Sequence, residues 1–317
     1  MNKGKKFSIL GAGNVGATIA YTLAVDGMAS EIVLVDINMD KARGEALDII
    51  QGTAFCPPVN IHAGYAADTA DSDIVVITSG AARKPGQSRI DLTQGNVDII
   101  KSVLPEVARR SPGAIYIVVS NPVDIITYAI LRCTSLDPSQ VIGTGTLLDT
   151  SRLRAIIAYH VEVSPKSVHA MVLGEHGDTS VVPWSLITIA GMPLDTYCEQ
   201  ECKNLGRCKP TDLMQMEQMV RQSGAEVIGL KGATYYAIAL ATRRLCDCVV
   251  RDTSSVLTVS GLTHGPYGME DVCLSLPRVV GARGVERDIA PVLTDAEARQ
   301  LCSSADALKA VIQSVTF

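Results

Sequence analysis

The sequence predicts an α/β protein, a doubly wound parallel sheet followed by a mixed α+β domain, and three observations carry that prediction. Short Val/Ile runs alternate with helical patterns through the first half of the 317 residues. Each run is apolar at consecutive rather than alternate positions, and glycine or polar residues follow its carboxyl end. Strands apolar throughout are buried on both faces, the condition of a parallel sheet covered by helices.

Residues 7–10 form the first such run, and residues 15–25 have the apolar recurrence and alanine content of a helix, so the chain opens β-turn-α. Residues 31–35 form a second strand that ends on Asp36; residues 73–78 and 114–119 repeat the pattern, and residues 141–143 close it. The regular alternation ends there, which puts a boundary near residue 145 and divides the chain into domains 1–145 and 146–317. Beyond it, residues 150–159 and 213–236 read as helices and 256–260 as a strand. Residues 294–315 read as a terminal helix that opens with the capping-box pattern Thr294-Asp295-Ala296-Glu297.

Composition narrows the function classes. At 47% hydrophobic residues the chain can bury a large core, and a net charge of −5 gives no general attraction to nucleic acid or to acidic membranes. No apolar run approaches the ~18 residues of a membrane span. Nine cysteines, an odd number, point to free thiols in a reducing compartment and hence to the cytoplasm. Cys198, Cys202 and Cys208 lack the Cys-x-x-Cys spacing of a zinc site and have no neighbouring histidine, so no metal is expected.

The chemistry sits in five places. Gly11-Ala12-Gly13-Asn14-Val15-Gly16 matches G-x-G-x-x-G between a strand and a helix, the Rossmann-type arrangement in which a helix N-terminus faces a dinucleotide pyrophosphate. Asp36 follows at a strand end, where a carboxylate accepts from ribose hydroxyls and repels a 2′-phosphate, which favours NAD over NADP. The polar stretch 80–89 has a Pro-Gly turn and carries Arg83, Lys84 and Arg89, the composition of a lid. Asp149 and Arg152 share one face at the start of a helix, where the pair is either a simple surface ion pair or a bidentate carboxylate grip beside an imidazole-orienting acid. His176, framed by Gly174 and Gly177, is the best acid–base candidate among the five histidines.

With these residues in view, the chain resembles the L-lactate/malate dehydrogenase family over nearly its whole length. The resemblance rests on GAGNVG at 11–16, SGAARKPGQSR ending at Arg89, VVSNPVD at 118–124, LLDTSRLR at 147–154 and GEHGD around His176. It implies that His176, oriented by Asp149, moves a proton while NADH delivers a hydride to a 2-keto acid. Arg152 then anchors the carboxylate, Arg89 and Asn121 polarise the carbonyl, and Thr234 lines the pocket. Gly80, Ala81, Ser102, Val119, Asn121 and Thr144 complete the cofactor-binding set.

Within the family the markers divide. Arg83 stands where malate-type members carry Arg and lactate-type members carry Gln. Glu175, Thr234 and Pro183-Trp184-Ser185 look lactate-type, as do Arg154 and His169, which match the pair with which bacterial lactate dehydrogenases bind fructose 1,6-bisphosphate between subunits of a tetramer. The balance implies pyruvate as substrate, with oxaloacetate as the alternative, in a homotetramer. A dinucleotide-binding regulator without turnover would have no need of His176, Asp149, Arg152 and Arg89 together.

Overall fold

The computed structural model describes residues 4–81, 89–202 and 211–317. Six strands, β1 (Lys6–Leu10), β2 (Glu31–Val35), β3 (Asn60–Gly64), β4 (Ile74–Ile77), β5 (Ile115–Val118) and β6 (Val141–Gly143), pair in parallel in the order β3-β2-β1-β4-β5-β6. The order reverses between β1 and β4, which opens a crevice at the carboxyl ends of the strands.

The consecutive apolar residues divide between two cores by the two-residue period of the strand. Val75 and Ile77 of β4, with Tyr116 and Val118 of β5, pack toward α3 (Arg89–Arg110) and α4 (Val123–Cys133). Ile74, Val76, Ile115 and Ile117 face the opposite side, where α1 (Asn14–Asp26) and α2 (Met39–Gln51) supply Ile19, Leu23, Ala42 and Ala46. This is the doubly wound arrangement read from the sequence. β3, with sequence NIHAG, escaped that reading because it has no apolar run.

The second half begins with α5 (Leu147–Val161), β7 (Val168–His169), β8 (Thr188–Ile189), β9 (Met192–Pro193) and α6 (Leu194–Tyr197). α7 (Thr211–Lys231) and α8 (Tyr236–Arg251) follow, and then β10 (Ser255–His264), β11 (Glu270–Gly281), β12 (Gly284–Asp288) and α9 (Asp295–Gln313). β10 pairs antiparallel to β6 through Ser260 and Gly143, and β11 and β12 extend the same sheet, so among the described residues nine strands form one layer. The second half thus completes the first sheet as well as building its own core, in which Leu153, Ile157, Val168, Ile189, Met216 and Val220 meet.

The helix expected over 213–236 is two helices. Gly232 adopts φ +83 and its N–H closes on the Ile228 carbonyl, which ends α7 before α8 starts. The expected strand over 256–260 runs longer, as β10.

The capping box at α9 forms as the sequence predicts: Thr294 accepts from the Glu297 N–H, and the Glu297 carboxylate accepts from the Thr294 N–H. That carboxylate also accepts from the Ser185 N–H and hydroxyl, at 3.1 and 2.7 Å, and so ties the helix start to the segment that follows His176 in the chain. Burial pushes the Glu297 carboxyl up, but the donors from Ser185 and Thr294 together outweigh it and hold the group below the usual carboxylate range. Glu297→Ala is expected to destabilise the fold by about 2 kcal/mol, because it strands these donors. A group with a depressed value stabilises above its unfolded pKa and loses that contribution as pH falls through the folded value. Thermal denaturation should therefore show the difference between the two proteins narrowing in acid.

Candidate active site

The turns after β1, β2, β4, β5 and β6 all lie at one end of the sheet, and the site is built from them. Gly11 has φ +104, and a side chain there would meet Thr78 Oγ1 at 2.7 Å and the Ser79 main chain at 2.8 Å. At Gly16 a Cβ would sit 1.9 Å from the Gly11 carbonyl oxygen, so helix and turn pack too closely for any other residue. Gly13 differs: a Cβ there would meet nothing within 4 Å. This residue caps α1 with extended backbone and no side-chain bond, which leaves the first N–H groups of the helix, including those of Asn14 and Val15, facing open ground. Asp36 stands beside it, Oδ2 accepting from the Ala12 N–H at 2.7 Å and Oδ1 from the Asn38 N–H at 2.8 Å. An uncapped helix start, a glycine without a Cβ and a fixed carboxylate fit the pyrophosphate and ribose of NAD.

Asn96 of α3 joins two further turns. Its Oδ1 accepts from the Ala81 N–H, next to Gly80, and its Nδ2 donates to the Asn121 carbonyl, both at 2.8 Å. The Val119 N–H donates to Ile77 O and the Thr144 N–H to Val118 O, which sets these residues at the strand ends. Ser102 is exposed further along α3, with its hydroxyl bonded to Ile99 O, and makes no bond to this group. Arg89 opens α3. Arg83 lies outside the described residues.

At the joint of β6 and α5, Gly145 has φ +47, and a Cβ there would lie 2.1 Å from Ser275 Oγ. Buried hydroxyls then fix the first turn of α5. Ser275 Oγ accepts from the Thr146 N–H at 2.9 Å, Thr146 donates to Val172 O, and Thr150 bonds Thr258 of β10 at 2.8 Å and accepts from the Val172 N–H at 2.9 Å. This turn presents Asp149, which is buried, and Arg152, whose guanidinium donates to Asp149 Oδ1 at 2.9 Å. The other oxygen, Oδ2, meets His176 Nδ1 at 2.6 Å. One carboxylate therefore holds the imidazole and the guanidinium together, so the ion pair of Asp149 with Arg152 and its contact with an imidazole form side by side.

The electrostatics follow from that geometry. Burial alone pulls the His176 pKa down, but the Asp149 charge and hydrogen bond, with the Asp124 charge, exceed it and leave the imidazole above the ordinary histidine value. Burial likewise pushes the Asp149 carboxyl up, and the charges and hydrogen bonds of His176 and Arg152 bring it below the usual range. The His176 side chain keeps 28% exposure against 8% for Asp149, so the imidazole has an open side while its partner has none.

Gly174 is needed for a reason other than ligand approach. Its φ is +84, and a Cβ would press within 2.7 Å of Ser304 Oγ on α9, whose hydroxyl accepts from the Glu175 N–H at 2.9 Å. Glu175 in turn accepts from the Thr179 hydroxyl at 2.5 Å and latches the loop. Sequence reasoning also passed over Asp124, which is 2% exposed; its Oδ2 accepts from the His176 N–H at 2.8 Å and its Oδ1 from the Ser260 hydroxyl at 2.5 Å. The motif VVSNPVD contains it, but an acid in the first turn of a helix reads as a solvated dipole partner.

Thr234 is half-buried between Gly232 and α8. α7 passes Arg152 at Gly224, where a Cβ would lie 3.7 Å from the guanidinium. His169 is exposed on β7, and the Arg154 guanidinium donates to Pro165 O just before that strand.

A dinucleotide turn beside an imidazole, carboxylate and guanidinium chain defines an oxidoreductase that moves a hydride and a proton together. The chain belongs to the lactate/malate dehydrogenase family: the family's NAD-binding domain matches residues 5–143 and its α/β C-terminal domain residues 146–316. It is 45% identical to L-lactate dehydrogenase 1 of Clostridium acetobutylicum, over 99% of this chain and all of that protein. Against L-lactate dehydrogenase of Acetivibrio thermocellus the identity is 45%, over 98% and 97% of the two chains. The crystal structure of minor L-lactate dehydrogenase from Enterococcus mundtii in ligand-bound form superposes with a TM-score of 0.94 at 38% identity, covering 99% of each chain.

The two kinds of glycine give separable outcomes. Gly16→Ala is expected to lower both thermal stability and NADH affinity. Gly13→Ala should leave the melting temperature unchanged while weakening NADH binding by about tenfold or more, as read by fluorescence titration. Unchanged NADH affinity in Gly13→Ala would show that the open ground beside α1 does not receive the cofactor.

Proposed function

We propose that the protein is an NAD-dependent L-lactate dehydrogenase that reversibly reduces pyruvate to (S)-lactate, with His176 as proton donor and acceptor. The observation that carries this reading is the 2.6 Å bond from His176 Nδ1 to the buried Asp149 carboxylate, whose other oxygen is held by Arg152. That bond leaves the second ring nitrogen, Nε2, to face a substrate oxygen. Bound NADH supplies the hydride. The raised pKa favours the protonated imidazole, whose Nε2–H can donate to the keto oxygen as charge develops there; in the reverse direction neutral Nε2 accepts the hydroxyl proton. Arg152 retains N–H groups beyond the one spent on Asp149 and is suited to grip the substrate carboxylate bidentately. Arg89 and Asn121 are assigned to the carbonyl and Thr234 to the pocket wall; the stretch read from the sequence as a lid lies, over residues 82–88, outside the described residues.

Oxaloacetate is the second reading, and Arg83 is what favours it: malate-type members of the family carry Arg at this sequence position, where it pairs with a second carboxylate. The full-length relatives named L-lactate dehydrogenase support pyruvate. We assign Arg154 and His169 to a fructose 1,6-bisphosphate site, and a homotetramer to the assembled state. α2, α1, α8 and α5 pack on one another in that order and leave Leu47, Tyr21, Leu240 and Tyr159 exposed, a face suited to a second copy of the chain. Among the described residues no helix is long and apolar enough to cross a membrane. Free cysteines suit a cytoplasmic setting.

NADH oxidation followed by absorbance tests the substrate: kcat/KM for pyruvate should exceed that for oxaloacetate, and fructose 1,6-bisphosphate should raise it. Arg83→Gln is expected to depress oxaloacetate turnover and spare pyruvate turnover; equal losses would deny Arg83 any part in the choice. Pyruvate reduction needs the imidazolium, whose pKa is raised, so kcat/KM should be level in mild acid and fall only as pH rises past the ordinary histidine value of about 6.5. Lactate oxidation should mirror it. Asp149→Asn should cost about a hundredfold or more in kcat and move the limb to lower pH.

A further inference from the structure

We propose that Asp124, held by Ser260, is a positioning residue for the proton-transfer step: a second buried carboxylate that clamps the His176 main chain and adds its charge to that of Asp149 around the imidazole. Two bonds define the clamp. The His176 N–H donates to Oδ2 at 2.8 Å, and the Ser260 hydroxyl donates to Oδ1 at 2.5 Å. Each oxygen thus has a protein donor, and neither donor carries a formal charge.

The bonds join three separate elements. Asp124 sits in the first turn of α4, which starts beside Asn121, so one short segment sets the carbonyl-facing Asn121 and the support of His176 at once. Ser260 lies on β10 opposite Gly143, the last residue of β6. On the far side of Ser260 the buried Arg278 guanidinium donates to the carbonyls of Val259 at 2.5 Å and Gly261 at 3.1 Å and to Asp288 at 2.8 Å. The hydroxyl that holds Asp124 therefore stands on a backbone pinned on both sides. The His176 main chain cannot drift without breaking a charged hydrogen bond anchored in the sheet.

The other groups facing Asp124 set the sense of its effect. His176 and Glu175 come from the catalytic loop, Cys273 faces it from β11, and Asp149 and Arg152 act on the same imidazole from α5. Burial raises the Asp124 carboxyl to about 6, against the Ser260 and His176 bonds and the His176 charge, which lower it. The Ser260 and His176 bonds, with the imidazole's charge, are what let a buried acid ionise at neutral pH in this setting. Asp124 supplies charge and fixes geometry; no proton passes through it.

The kinetic arm rests on the dehydrogenase reading, so the first measurement does not use turnover. The His176 imidazole Cε1–H resonance, assigned by His176→Asn, is titrated by NMR in the intact protein and in Asp124→Asn and Ser260→Ala. We expect the His176 pKa to fall in Asp124→Asn by on the order of one unit or less, and to fall by a smaller amount in Ser260→Ala, where the carboxylate persists but ionises less readily. In pyruvate reduction the alkaline limb should move the same way, with kcat down by about tenfold and KM little changed. NADH affinity should stay as in the parent.

If Asp124→Asn fails to fold, Ser260→Ala decides alone. Folded variants whose His176 titration matches the parent would overturn the proposal, even if their melting temperature drops, since lost stability without a changed titration is what a purely structural pair would give. A failure of turnover in the parent with every 2-keto acid would sink the dehydrogenase reading and leave the NMR result standing.

Discussion

Everything in the site depends on one buried carboxylate with two partners. Asp149 receives an imidazole on one oxygen and a guanidinium on the other, at 2.6 and 2.9 Å, where little water can reach it. A single buried charge with no partner costs several kcal/mol; here the carboxylate and each of its two cationic partners make one another's charged state tenable. The two cations that face the carboxylate favour its ionised form, and the carboxylate in turn favours the protonated form of the imidazole. Remove Asp149 and Arg152 would repel the imidazolium it now stands beside.

The fold supplies this arrangement through the ends of its strands. A parallel sheet brings the turns after β1, β2, β4, β5 and β6 to one side, so the uncapped start of α1, Asp36, Asn121 and the first turn of α5 lie at the same end of the sheet although they are far apart in sequence. The antiparallel strands of the second half then do two things at once. β10 and β11 close the edge of the sheet at β6, and they carry the hydroxyls of Thr258, Ser260 and Ser275 that hold α5 and Asp124 in place. The division into two domains is a division of sequence, while the sheet and the site run across it.

How much of this the sequence discloses depends on the range of each interaction. The glycine turn and Asp36 are legible because a strand, a tight turn and a helix start are local events, and only glycine tolerates the 1.9 Å approach at Gly16. His176 and Asp149 are legible as types in context, but the bond between them spans 27 residues and needs the fold. The role of Gly174 is not legible, since the contact that forbids a side chain comes from Ser304 on α9. Asp124 is hidden for the same reason: its partners lie on β10 and on the catalytic loop, and its place in the first turn of α4 suggests a solvated acid. β3 and the end of α7 at Gly232 were missed because a polar strand and one left-handed glycine leave almost no trace in an apolar pattern.

The same charges that run the chemistry also bound the pH range in which the site is well formed. Asp149 has a depressed value, so its pairing stabilises the fold above its unfolded pKa and is lost as pH falls through the folded one. His176 has a raised value, so its pairing is fully present below its unfolded pKa and is lost as pH rises through the folded one. Between those limits both partners are charged, the buried carboxylate is neutralised, and the imidazole carries a proton on its open side. Asp124 sits within this window with its value near 6. When it ionises there, its charge holds the imidazolium just where an isolated histidine would begin to lose its proton. A second carboxylate against the main chain thus extends the working range of the first without competing for the ring nitrogen that faces Asp149.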